Sequence, residues 1–145
     1  MSPIILDTSA VLALFDSSYE EHDGLTEAVE KRQGPLVVSP FIVAEVDYML
    51  KEQYDAGAAR QFNEDVALGG MELASWGPAD HAEALQVMQA FQGDDYIGIA
   101  DASNVVLADR YRTNSIMTLD QRHFRILQPI WGPDYFTLLP YDSEQ

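Results

Sequence analysis

Short apolar runs alternate with longer amphipathic stretches along this chain, and that alternation predicts its elements. Ile4-Ile5-Leu6 is a β-type run, and the Asp7-Thr8-Ser9 that follows can cap a helix carrying Val11, Leu12 and Leu14. The spacing predicts a second helix from Tyr19 to Arg32, where Glu27 and Lys31 stand one turn apart and Gly34-Pro35 supplies the stop. Leu36-Val37-Val38 repeats the strand pattern, and Ser39-Pro40 opens a helix from Phe41 to about Gln53. Ala56 to Leu68 reads as a helix ended by Gly69-Gly70, Met71 to Ala74 as a strand, and Pro78 starts a helix reaching to about Phe91. After a Gly93-Asp94-Asp95 loop comes Ile97 to Tyr111, apolar around most of its circumference, as a central buried helix would be. Ser115 to Leu119 is a further strand, with Asp120 at its exit. Strands alternating with helices imply an α/β fold with a mostly parallel central sheet.

In such a sheet, ligands bind outside the carboxyl ends of the strands, where strand-exit turns and helix N-termini converge. Asp7 and Asp120 occupy that position, each directly after an apolar run. Glu45 falls inside the helical arc made by Phe41, Ile42, Val46 and Met49, whereas Asp47 points away from it, so Glu45 needs a partner or a metal. Asp101 lies in the first turn of the central helix, with Asn104 and Val105 further along the same face. Taken singly, each has a plain structural reading. Asp7 and Asp120 can be helix caps, Glu45 can snorkel past the edge of its stripe, and Asp101 can complement a helix dipole.

Taken together they are harder to explain without a cation. Two bare carboxylates about 4 Å apart repel by roughly 4 kcal/mol at an effective dielectric of about 20, a cost removed by a hard divalent ion. Ligation by Asp and Glu alone, with no cysteine and no histidine pair one helical turn apart, points to Mg2+ or Mn2+ rather than Zn2+. Mg2+ held by a few carboxylates commonly completes its shell with water and phosphate, which makes phosphodiester hydrolysis the leading chemistry.

Composition narrows this further. With 24 Asp and Glu against 8 Lys and Arg, the formal net charge is −16, which excludes a general nucleic-acid coat and disfavours an anionic membrane surface. The hydrophobic share of 47% opposes a disordered acidic chain. The basic residues are unevenly placed: Arg110, Arg112, Arg122 and Arg125 follow Asp101 and surround Asp120, forming an expected arginine rim. Met1-Ser2-Pro3 runs into Ile4 without a basic leader or cleavage site, and the longest apolar run, Ala10 to Phe15, is too short to cross a bilayer. One cytoplasmic domain over residues 1–145 is the expectation.

Four segments then become recognisable in order: Ile5-Leu6-Asp7-Thr8-Ser9-Ala10, Ala44-Glu45-Val46-Asp47-Tyr48, Ala100-Asp101-Ala102-Ser103, and Thr118-Leu119-Asp120-Gln121-Arg122-His123-Phe124. They resemble the motifs of PIN-domain ribonucleases, and most of all those of VapC-type toxins of bacterial type II toxin–antitoxin systems. The resemblance spans nearly the whole chain, including the closing Tyr135 to Pro140 stretch. It implies a three-layer α/β/α sandwich and a Mg2+-dependent endoribonuclease that cuts RNA to stop translation. It makes Asp7 and Asp101 the metal ligands, with Asp120 and Glu45 completing the acidic pocket directly or through water. Thr8 or Ser9 matches a small hydroxyl position beside the first Asp. A role for Asn104 or Arg122 near substrate comes from position in this sequence rather than from the family pattern.

The resemblance also implies a VapB-type antitoxin whose basic segment enters the acidic pocket, operator DNA bound only through that antitoxin, and a homodimer or hetero-oligomer. The RNA target is expected to be a specific tRNA or ribosomal loop, since little positive charge serves unspecific grip. Two other readings compete: a catalytically silent PIN-like binding module, and a metal-dependent phosphatase. The phosphatase fits less well, because a haloacid-dehalogenase-type site needs a second Asp where Ser9 stands. A receiver domain needs a late strand-end lysine, and the only lysines are Lys31 and Lys51. His22, His81 and His123 lie far apart and are assigned surface or packing roles, Asp94-Asp95 a solvated loop with an outer-sphere metal role near Asp101 as the alternative, and Trp131 and Tyr135 the packing of the chain end.

Overall fold

Three-residue strands can each bury both faces only if helices cover the sheet on both sides, and that is the architecture observed. A computed structural model describes residues 2–142. The elements run β1 (Ile4–Leu6), α1 (Thr8–Phe15), α2 (His22–Lys31), β2 (Leu36–Val38), α3 (Pro40–Gln53), α4 (Ala56–Ala67), β3 (Glu72–Leu73), α5 (Pro78–Ala90), α6 (Ile99–Arg110), β4 (Ser115–Met117), α7 (Gln121–Phe124) and β5 (Thr137–Leu139). Among the described residues the strands form one sheet, ordered β3-β2-β1-β4-β5 and parallel at every pairing.

The period of two along each strand divides the core. Ile4, Leu6, Leu36, Val38, Met117 and Leu139 point to one side, against Val11, Leu25, Ile42, Val46 and Phe62 from α1 to α4. Ile5, Val37, Ile116 and Leu138 point to the other, against Val105, Leu107 and Phe124 from α6 and α7. Helix α5 lies outside α6, with Ala84 packed on Ala102 and Val106, which is why α6 is apolar around its circumference. The three-layer α/β/α sandwich is thus present, with β1, β2 and β4 buried on both faces and the edge strand β3 exposed.

Strand order decides where ligands can bind. β1 has β2 on one side and β4 on the other: the chain steps from β1 outward to β2 and β3, then crosses back through α5 and α6 to β4 on the opposite side of β1, so the strand order reverses between β1 and β4. The crevice at the carboxyl ends of β1 and β4 is therefore the topological switch point. Asp7 directly follows β1, and Asp120 lies in the turn after β4.

Boundaries differ from the expectations where side chains take over backbone pairing. β4 ends at Met117 rather than Leu119, because the Leu119 amide donates to Ser9 Oγ at 2.9 Å and the Asp120 amide to Thr118 Oγ1 at 2.9 Å. α2 begins at His22 rather than Tyr19, since Asp16 accepts from the Ser18 amide and the Tyr54 hydroxyl and holds a turn there. Two elements had no predicted counterpart, α7 and β5, each of four residues or fewer. Trp131 and Tyr135 do not pack the chain end: Tyr135 is exposed, and Trp131 lies half exposed beneath the Arg112 guanidinium, 5.1 Å from its centre.

Candidate metal centre

The loop leaving β1 delivers Asp7 into the crevice and holds it from several sides. Asp7 precedes α1 but makes no side-chain capping bond. Its Oδ2 instead accepts from Thr118 Oγ1 at 2.7 Å and from Ser9 Oγ at 3.5 Å. Only 5% of Asp7 is exposed. Burial, followed by the charge of Asp101, pushes the Asp7 carboxyl up to about 7 against the hydrogen bond from Thr118.

Helix α6 brings Asp101, and the turn into α7 brings Asp120 and His123. Asp120 is a true cap, its Oδ1 accepting from the His123 amide at 3.1 Å. The His123 ring turns back over it, with Nδ1 3.0 Å from Asp120 Oδ2 and 3.1 Å from Asp101 Oδ2. One ligand atom from each of Asp101, Asp120 and His123 lies within 4.8 Å of the other two. Burial, with the charge of Asp120 next, raises the Asp101 pKa above the usual carboxylate range, while His123 pulls it back. Burial opposes protonation of His123, but Asp120, Asp95 and Asp101 outweigh it and the ring's pKa is raised.

Asp7, Asp101 and Asp120 face a cleft of about 480 Å³ whose other lining residues are Thr8, Ser9 and Glu45, together with Leu12, Tyr48 and Met49. The donor set suits a divalent ion. It is a concentration of carboxylates, two with raised pKa values, which a cation placed among them would stabilise in the charged form.

A profile of the PIN domain matches residues 4–127. This chain belongs to the PIN-domain ribonuclease family. Among VapC-type PIN proteins it is 45% identical over 137 residues to Ribonuclease VapC26 of Mycobacterium tuberculosis (strain ATCC 25618 / H37Rv), covering 94% of this chain and 100% of that protein. The fold matches that of M. tuberculosis VapC20, a sarcin-ricin loop cleaving toxin, with a TM-score of 0.72 at 14% identity, over 83% of this chain and 92% of that one. It also matches a toxin-antitoxin complex from Klebsiella pneumoniae, with a TM-score of 0.64 at 16% identity, over 92% and 99% of the two chains.

The PIN cleft gathers most of the positions singled out by sequence, though not always as expected. Asp7 shares the cleft but stands outside the tight cluster of Asp101, Asp120 and His123. Glu45, placed by its helical arc in an apolar stripe, is exposed at the cleft, off the buried stripe of Ile42, Val46 and Leu50; its Oε1 accepts from Thr8 Oγ1 at 2.6 Å. Ser9 ties the β1 and β4 exits together. Asn104 is fully buried beside β1, 3.5 Å from the Leu6 carbonyl, and does not line the cleft; its Oδ1 has no partner among the described residues.

The arginine rim is not there. Arg110 pairs with Asp80, Arg112 with Asp109 and Arg125 with Asp142, while Arg122 reaches the site only through Asp95. One residue was missed. His123, assigned to surface or packing, sits inside the acid cluster. Asp95, read as a solvated loop with an outer-sphere metal role as the alternative, accepts from both its ring and Arg122. The sequence signal was slight: His123 lies one turn after the capping Asp120, a spacing that puts both side chains at one helix end.

Proposed function

We propose that this chain is the toxin of a type II toxin–antitoxin pair, an endoribonuclease that hydrolyses a phosphodiester bond of a structured RNA with Mg2+ or Mn2+. The observation that carries the reading is the convergence of Asp7, Asp101 and Asp120 at the β1–β4 switch point in one cleft. Forty-five per cent identity to a named ribonuclease across that protein's whole length supports it. A divalent ion, when bound, supplies charge neutralisation at the phosphate and a lowered pKa for water. The chain's own residues supply positioning. Thr118 holds Asp7 inward, Thr8 holds one oxygen of Glu45 and leaves the other free to orient a water, and the apolar wall of Leu12 and Met49 limits solvent.

The partner follows from charge. An acidic cleft on a chain of net charge −16 suits the basic segment of a VapB-type antitoxin, and the fold matches chains of toxin–antitoxin complexes. Operator DNA would be held by the antitoxin, and toxin copies would pair within that assembly. The target is a specific tRNA or ribosomal loop; the sarcin-ricin loop, cut by VapC20, is the first to try.

The deciding experiment incubates the purified chain with total RNA in Mg2+, in Mn2+ and in EDTA, and maps new 5′ ends. Cutting at few sites, lost in EDTA and in Asp101→Asn, is expected. No cutting in any metal would leave the silent binding module as the better reading, and diffuse cutting everywhere would reject a specific target.

A further inference from the structure

The acid cluster contains one nitrogen donor, and its surroundings are those of a metal-binding imidazole. His123 Nδ1 stands 3.1 Å from Asp101 Oδ2 and 3.0 Å from Asp120 Oδ2. Neighbouring ligand atoms of an octahedral ion with bonds of about 2.1 Å lie about 3.0 Å apart; Nδ1 stands at that spacing from an oxygen of each acid, and the three ligand atoms all lie within 4.8 Å of one another.

The opposite edge of the ring is equally committed. Nε2 stands 3.2 Å and 3.4 Å from the two oxygens of Asp95, and Arg122 pairs with the same carboxylate at 3.0 Å. With carboxylates at both ring edges, both nitrogens are placed to donate in the metal-free protein; a divalent ion entering between Asp101 and Asp120 would take the place of the Nδ1 proton, while Asp95 keeps Nε2–H oriented on the far side. Phe91 meets the ring edge-on at 5.8 Å between centres, which restricts its rotation.

We propose that His123 is a direct nitrogen ligand of the metal, with Asp95 as the positioning residue that orients it, so that this site takes Mn2+ in preference to Mg2+. Imidazole suits transition ions, whereas Mg2+ favours an all-oxygen shell. The inference rests on the metal-dependent reading above and refines which ion that reading requires.

Mn2+ bound to the purified full chain offers a readout separate from activity. Electron spin echo envelope modulation detects nitrogen bound directly to Mn2+, and the wild-type chain should show that coupling. His123→Gln should lose it and weaken Mn2+ binding, measured by calorimetry, by about tenfold or more, with Mg2+ binding changed far less. Asp95→Asn should weaken Mn2+ binding by about tenfold while leaving the circular dichroism spectrum intact. Mn2+ bound to the wild-type chain without nitrogen coupling would overturn the proposal, as would equal losses for the two ions in His123→Gln. The wild-type spectrum decides the ligand even if His123→Gln fails to fold. A wild-type chain that binds neither ion would instead remove the metal-centre reading itself, and this proposal with it.

Discussion

Asp7 shows how one side chain can trade stability for a site. Its folded pKa of about 7 lies above the ordinary aspartate value of about 3.9, so the sign of the linkage is that of a raised group. The penalty is absent below about pH 4, builds between about 4 and 7 as the unfolded chain alone loses the proton, and is constant above about 7, so the metal-free protein loses stability from this residue on going from acid to pH 8. Asp7→Asn should therefore raise the metal-free melting temperature at pH 8, by an amount corresponding to a few kcal/mol, and leave it nearly unchanged at pH 4. Thermal melts in EDTA at the two pH values check this; a lower melting temperature for Asp7→Asn at pH 8 would reject the burial argument. In wild type, saturating Mn2+ should recover much of the loss, since a ligand that binds only the folded state stabilises it by mass action. Thr118 has a different role, because its hydroxyl serves both Asp7 Oδ2 and the Asp120 amide. Thr118→Val leaves both without that partner and should cost about 1–3 kcal/mol, read from the urea midpoint.

At the scale of elements, the strands are so short that their placement depends on close contacts at their ends. Gly34, just before β2, lies against the chain entering β1: a Cβ there would meet the Ser2 carbonyl oxygen at 2.4 Å and its carbon at 2.6 Å. Both are backbone atoms and cannot swing aside. Gly34→Ala should therefore disturb the β1–β2 start, where the Ile4 amide donates to the Pro35 carbonyl, and cost about 1–3 kcal/mol in chemical denaturation. Legibility varied at this scale. β1, β2 and α3 could be read because each carries an unbroken apolar run or an amphipathic stripe with a Ser39-Pro40 start. β5 could not, because Thr137–Leu139 lies near a proline-rich tail and becomes a strand only by pairing with β4. α7 is a single turn whose existence depends on the Asp120 cap.

For the whole molecule the decisive quantity is how charge is distributed in space. Lys31, Lys51, Arg110, Arg112, Arg122 and Arg125, six of the eight basic residues, already face carboxylates, so little cation is left to displace counterions from RNA. RNA binding by Asp101→Asn should then depend weakly on salt, with a log–log slope of magnitude about 2 or less by fluorescence anisotropy. A slope near 5 would show a basic surface that the structure does not present. An antitoxin, on the proposed function, should behave oppositely, its hold on an acidic cleft weakening steeply as salt rises.

The sequence by itself determined the alternation of strands and helices, the burial of α6, and the presence of aspartates just beyond two strand ends, because periodicity and turn chemistry are local. Tertiary structure decided the rest. Only strand order sets β1 beside β4 and so brings Asp7 near Thr118, 111 positions away. Only folding sets His123 between Asp101 and Asp95, 22 and 28 positions away, and cancels the arginines against acids on other elements. Electrostatic partners act through space, and linear spacing does not record which groups the fold brings within a few ångströms of one another.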